Sequence, residues 1–128
     1  MAQTFSIVTG NGFIGNAQRI DTDNGRGFFQ IVYASGITDA NYRDWELTFK
    51  YRANYVIRVG WAHNEWYETN ITANTGNAIS HSLIIDSATY LANWFILNGL
   101  YALTITFEVD FQVDAWMEID EVNFYPIT

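Results

Sequence analysis

The chain has no cysteine, one proline, one lysine and no apolar run approaching the length of a membrane span. Without cysteine there is no disulfide, zinc–thiolate centre or thiol nucleophile, so the core alone must supply stability. A helix needs about 20 predominantly apolar residues to cross a bilayer, and Met1-Ala2-Gln3-Thr4-Phe5 lacks the basic and apolar regions of a secretory signal. Neither membrane anchoring nor signal-directed export is therefore expected. Cations are scarce too. Every arginine lies at or before Arg58, and from Val59 onward there are nine acids and no Lys or Arg. A chain of formal net charge −8 repels a phosphate backbone, which argues against a nucleic-acid partner. Charged residues make up 16% of the chain, where about 25% is usual, and the acidity itself serves solubility.

What the chain has in excess is large apolar side chains in alternation. Trp45, Leu47, Phe49 and Tyr51 form one series, Tyr55, Ile57, Val59 and Trp61 a second, and Tyr101, Leu103, Ile105, Phe107 and Val109 a third. Successive strand side chains point to opposite faces, so this period of two predicts strands with one face in a core. Leu47, Phe49, Ile57, Val59, Leu103, Ile105 and Phe107 are expected to share that core. Gly10-Asn11-Gly12, Asn24-Gly25, Asn74-Thr75-Gly76-Asn77 and Asn98-Gly99 are the turn signals between strands. They predict eight to ten short strands, all-β, in a single-domain two-sheet antiparallel β-sandwich of jelly-roll type spanning 1–128. Tyr90–Leu97 reads as a strand closed into a hairpin by Asn98-Gly99, with a helix over Asp86–Leu97 capped by Ser87 as the alternative. In the last strand Met117 and Ile119 share one phase and Val122 and Phe124 the other, which predicts a β-bulge near Asp120-Glu121.

Three segments, Gly27-Phe28-Phe29-Gln30-Ile31-Val32, Trp45-Glu46-Leu47-Thr48-Phe49-Lys50-Tyr51-Arg52-Ala53 and Met117-Glu118-Ile119-Asp120-Glu121-Val122-Asn123-Phe124, occur in an order that resembles the carbohydrate-binding-module and galactose-binding-like jelly rolls. That resemblance implies the jelly roll over nearly the whole chain. It also covers glycan readers, adhesins and modules of phage structural proteins, and so does not choose among them. Jelly rolls of this kind often hold a structural calcium ion near the chain ends. The resemblance offers Asp21, Asp23 and Asp120 as oxygen ligands, although their spacing is not that of a calcium loop. No other cofactor is expected.

No nucleophile elbow, phosphate loop or metal-spaced histidine motif is present. Glu46, Glu108 and Glu118 fall on the polar phase of their strands, where solvated side chains are expected, and His81 falls on an apolar phase. The expectation is accordingly a non-catalytic protein. The candidate recognition cluster is His63, Asn64, Glu65, Trp66 and Tyr67, with Trp94 as a further aromatic. It combines flat apolar faces with groups able to bond sugar hydroxyls. Trp66 and Tyr67 cannot both point inward from one strand, so one is expected outside, either against a glycan or covered at a sheet edge or subunit interface. A first residue that is Met, no linker, low charge and surplus aromatics point toward a subunit of a homo-oligomer or larger assembly. The leading expectation is a virion protein, a phage capsid-decoration or fibre subunit present in the virion or outside the cell after lysis. The alternative is a carbohydrate-binding module that binds polysaccharide through exposed aromatics.

Overall fold

The structure is a computed structural model that describes residues 2–23, 25–37, 44–62, 65–85, 95–97, 100–112 and 114–127. Ten strands account for nearly all of them: β1 (Ala2–Thr9), β2 (Asn16–Asp23), β3 (Gly25–Ile37), β4 (Trp45–Ala53), β5 (Ile57–Ala62), β6 (Glu65–Ile71), β7 (Asn74–Ile85), β8 (Phe95–Leu97), β9 (Leu100–Gln112) and β10 (Trp116–Pro126). The first sheet has the order β1-β2-β10-β4-β7. The second runs β3-β9-β5-β6, with β8 paired to β9.

The pairings show how the sequence reaches this arrangement. The chain doubles back at the β5–β6 hairpin, and antiparallel pairs form outward from it: β5 with β6, β4 with β7, β3 with β9, and β2 with β10. Rolling that long double ribbon brings β4 beside β10 and β5 beside β9, which closes the two sheets. This is a jelly roll, with β1 added at one rim and β8 inside the β7–β9 connection. No helix among the described residues is long and apolar enough to cross a membrane.

Alternation places the core. Strand β4 alternates buried and half-buried residues along its whole length, and Leu47, Phe49, Ile57, Val59, Ile105 and Phe107 are buried together. Phe49 from the first sheet meets Phe107 from the second edge to face, with ring centroids 4.9 Å apart. The side chains of Leu103 and Trp61 lie outside the described ones. Tyr55 departs from the expected series: it sits before β5 begins and is exposed.

The bulge in β10 is present. Its register against β4 shifts between Asp120 and Asn123, and Glu121 takes a positive φ of 53°. The extra residue lets Met117, Ile119 and Phe124 all bury, with Val122 packed against the same core. Two turn expectations need correction. Asn24-Gly25 joins strands of opposite sheets rather than a hairpin, because β2 pairs with β10 and β3 with β9. Asn74 to Asn77 belong to β7, so the β6–β7 turn falls at Thr72-Ala73. At the other end, β8 pairs with β9 as the Asn98-Gly99 hairpin requires, whereas residues 86–94 lie outside the described residues. The β1–β2 turn folds onto β7: Ala78 N–H donates to the Asn11 carbonyl at 2.6 Å, and a Cβ on Gly12 would meet Ala78 N at 2.8 Å. With its φ of +91°, that position is specific for glycine.

Candidate functional site

On the outer face of the first sheet, Glu118 of β10 lies directly between Arg19 of β2 and Arg52 of β4. Arg19 Nη1 donates to its carboxylate at 2.7 Å and Arg52 Nη1 at 2.8 Å. Trp116, two residues earlier on the same face, receives both guanidiniums against its ring at 4.5 and 5.0 Å. Under that cover Glu118 is only 1% exposed. The expectation of a solvated Glu118 is thus overturned: the polar phase faces outward, but aromatic and guanidinium groups roof it. Arg19 also grips Asp21 through two nitrogens, and Arg52 donates to the carbonyls of Thr75 and Gly76. Arg19 therefore titrates above its ordinary value, mainly through the Asp21 hydrogen bond, with Glu118 adding to it and burial opposing. Two cations and two carboxylates make the group neutral, and its donors are directed at protein acceptors. Its chemistry is that of a clamp across β2, β10 and β4.

The outer face of the second sheet repeats part of this. Glu108 of β9 is fully buried and accepts from Arg58 Nη2 of β5 at 3.0 Å. It too departs from the solvated expectation. Trp66 of β6 stacks on the Arg58 guanidinium at 4.7 Å. Beside this stack is a hollow of about 310 Å³ lined by Val56, Arg58, Thr69 and Asn70. Hydroxyl, amide and guanidinium groups converge there next to an aromatic ring, the mixture that binds polyhydroxylated ligands.

Of the expected cluster, Trp66 is on the outer face and Tyr67 on the inner, packed against the core. Adjacent residues of a strand point to opposite faces, so the two aromatics part by ordinary alternation. Tyr67 is half-buried there. Of Glu65 only the backbone is described, and His63, Asn64 and Trp94 lie outside the described residues. Arg58, Thr69 and Asn70 were missed, because strand residues separated by the hairpin carry no common motif.

A third group lies at the rim between the sheets. Glu68 of β6 bonds His81 of β7, and His81 packs against Phe49 and Tyr51 with ring centroids 5.6 and 6.4 Å away. Tyr51 donates to the Thr72 carbonyl at 2.7 Å; burial, aided by the charge on Glu68, pushes its hydroxyl above the usual 10.0. His81 is thus a hydrogen-bonded inner residue, as its phase predicts. Two of the calcium candidates, Asp21 and Asp120, are held apart along the first sheet. Asp21 is taken by Arg19 and opposes Trp116, while Asp120 sits four residues further along β10 opposite Lys50, roughly 13 Å away at strand rise. The side chain of Asp23 is not among those described, and no cluster of three metal-binding side chains occurs among the described residues.

No protein-family model and no curated protein sequence matches the chain. Among solved structures it is similar to the enzymatically active domain of tailspike protein 4 of bacteriophage CBA120. The TM-score is 0.55 and the identity 16%, over 98% of this chain and 19% of that one. This chain thus spans about a fifth of the tailspike chain's length, and the likeness supports the two-sheet β-sandwich without selecting a carbohydrate-binding family. It also corrects one expectation. A solved neighbour of this fold is an enzymatically active domain, which overturns the reading of a non-catalytic protein. That reading rested on missing sequence motifs. In a jelly roll, acid and base come from strands distant in sequence, so no spacing announces them.

Proposed function

We propose that the chain is a jelly-roll module of a phage virion, in a tailspike- or fibre-type assembly, that contacts glycan through the outer face of β5, β6 and β9. The observation that carries this reading is the polar hollow of Val56, Arg58, Thr69 and Asn70 beside the Trp66–Arg58 stack. The fold likeness to a phage tailspike domain over almost the whole chain supports the setting. A buried Glu108 holds Arg58 in place, so the guanidinium reaches the hollow with little freedom left to lose on binding. Affinity electrophoresis through a panel of bacterial surface polysaccharides tests the glycan contact: at least one should retard the protein, and Asn70→Ala should relieve that retardation. Failure of the whole panel to retard the folded protein overturns the glycan contact. Immunogold labelling of virions should mark the tail, and label confined to the capsid shell overturns the tail placement.

A second reading, turnover of the bound glycan, is favoured by the Glu68–His81 pair, in which a carboxylate orients an imidazole beside a hydrogen-bonded tyrosine. Release of reducing ends from a retarding polysaccharide, lost in Glu68→Gln and in His81→Asn, is its expected signature.

A further inference from the structure

We propose that β1 is a self-association edge, on which a second copy of this chain pairs antiparallel across a two-fold axis to join the two first sheets into one. The two strand orders end on β1 and β7 in the first sheet and on β3 and β6 in the second, with the three-residue β8 a further short edge beside β9. Natural sheets protect such rims with bulges, charges or proline, because a bare rim templates pairing with another chain. The registers of β7, β3 and β6 against their neighbours are each broken by shifts, and β7 is further tied across to β6 through His81 and Glu68. β1 runs beside β2 through eight pairs, Ala2↔Asp23 to Thr9↔Asn16, with no shift. It contains no charge and no proline.

Charge decides which partner fits. Each copy carries a formal −8, so two copies repel through most of their surfaces. The first 18 residues carry none of the 14 acids and none of the six basic residues. Pairing of β1 with β1 therefore sets no charged side chain of one edge strand against another, and a neutral edge strand gives an acidic chain a place on which to meet itself. Apolar side chains reinforce it. Phe5 is opposite the buried Ile20 across the β1–β2 pair, yet Phe5 is 62% and Ile7 70% exposed, and the buried core takes no described residue from β1. Phe5, Ser6, Ile7, Gln18 and Arg19 line a hollow of about 260 Å³. Pairing centred on Ser6 sets Phe5 of each copy across from Ile7 of the other, twice per dimer, on the face that holds these exposed side chains.

The test is sedimentation velocity on the full 128-residue chain, over concentrations from about 1 to 100 µM. The wild type should be a dimer in the upper part of that range. The double variant Phe5→Lys with Ile7→Lys should weaken self-association at least tenfold while keeping the wild-type circular dichroism. Phe5→Glu with Ile7→Glu should do the same, and mixing the two variants should restore a one-to-one dimer, because lysine and glutamate then oppose each other in this register. A wild type that stays monomeric throughout overturns the inference, as does a Lys variant that dimerises like wild type. A mixture of folded variants that fails to pair overturns the antiparallel β1 register.

Discussion

The outer faces of the two sheets use the same three residue types, but one group is closed and the other borders a hollow. On the first sheet Glu118 holds two arginines, both lie against Trp116, and the remaining guanidinium contacts go to Asp21, Thr75 and Gly76. On the second sheet Glu108 holds one arginine, and that arginine shares a polar hollow with Thr69 and Asn70 beneath the reach of Trp66. A carboxylate locked between strands thus ties two arginines across three strands in one case, and in the other holds one arginine where the proposed glycan contact would use it. What separates them is where the guanidinium points once the carboxylate is satisfied.

The core beneath both faces should respond symmetrically. Phe49→Ala and Phe107→Ala remove opposite halves of one edge-to-face contact, and each should cost about 3–5 kcal/mol in denaturant unfolding. Thr48→Ala, on the half-buried phase of β4, should stay below about 1 kcal/mol. Thr106 is not an equivalent control, since that residue is buried on the outer phase of β9. The two clamps should then respond unequally. Glu118→Ala leaves Arg19 and Arg52 without their shared acceptor and should cost about 3 kcal/mol, whereas Glu108→Ala, which releases one arginine, should cost about 2 kcal/mol. Equal losses in urea titrations would break the distinction between a two-arginine clamp and a one-arginine prop.

The strand phases, the β8–β9 hairpin and the β10 bulge were legible because each is local: Met117 and Phe124 cannot share a face without an extra residue between them. The clamps were not legible. Glu118 and Arg19 are 99 residues apart, and only the rolling of the double ribbon sets them side by side. Alternation identified their phase as outward and could not reveal that Trp116 would roof it. The same limit separated Trp66 from Arg58 and Asn70, while the uncharged first 18 residues were a visible signal whose meaning required knowing that β1 ends a sheet.

A smaller effect concerns the rim that joins the two sheets. The Tyr51 hydroxyl is held above its ordinary 10.0 in the folded protein, chiefly by burial. Above that pH the unfolded chain loses this proton first, so stability should be intact below it and fall as the pH rises toward the folded-state value. Tyr51→Phe should flatten this alkaline decline, at a cost near neutral pH of about 1 kcal/mol for the lost bond to Thr72. Thermal midpoints measured from neutral to strongly alkaline pH would show both.

The division of labour between the two outer faces is tested most directly by paired tryptophan variants on one retarding polysaccharide. Trp66→Ala should abolish retardation in affinity electrophoresis with little loss of stability, and Trp116→Ala should lower the unfolding midpoint while leaving retardation intact. Retardation lost in folded Trp116→Ala, or retained in Trp66→Ala, would contradict the assignment of the binding face to the second sheet.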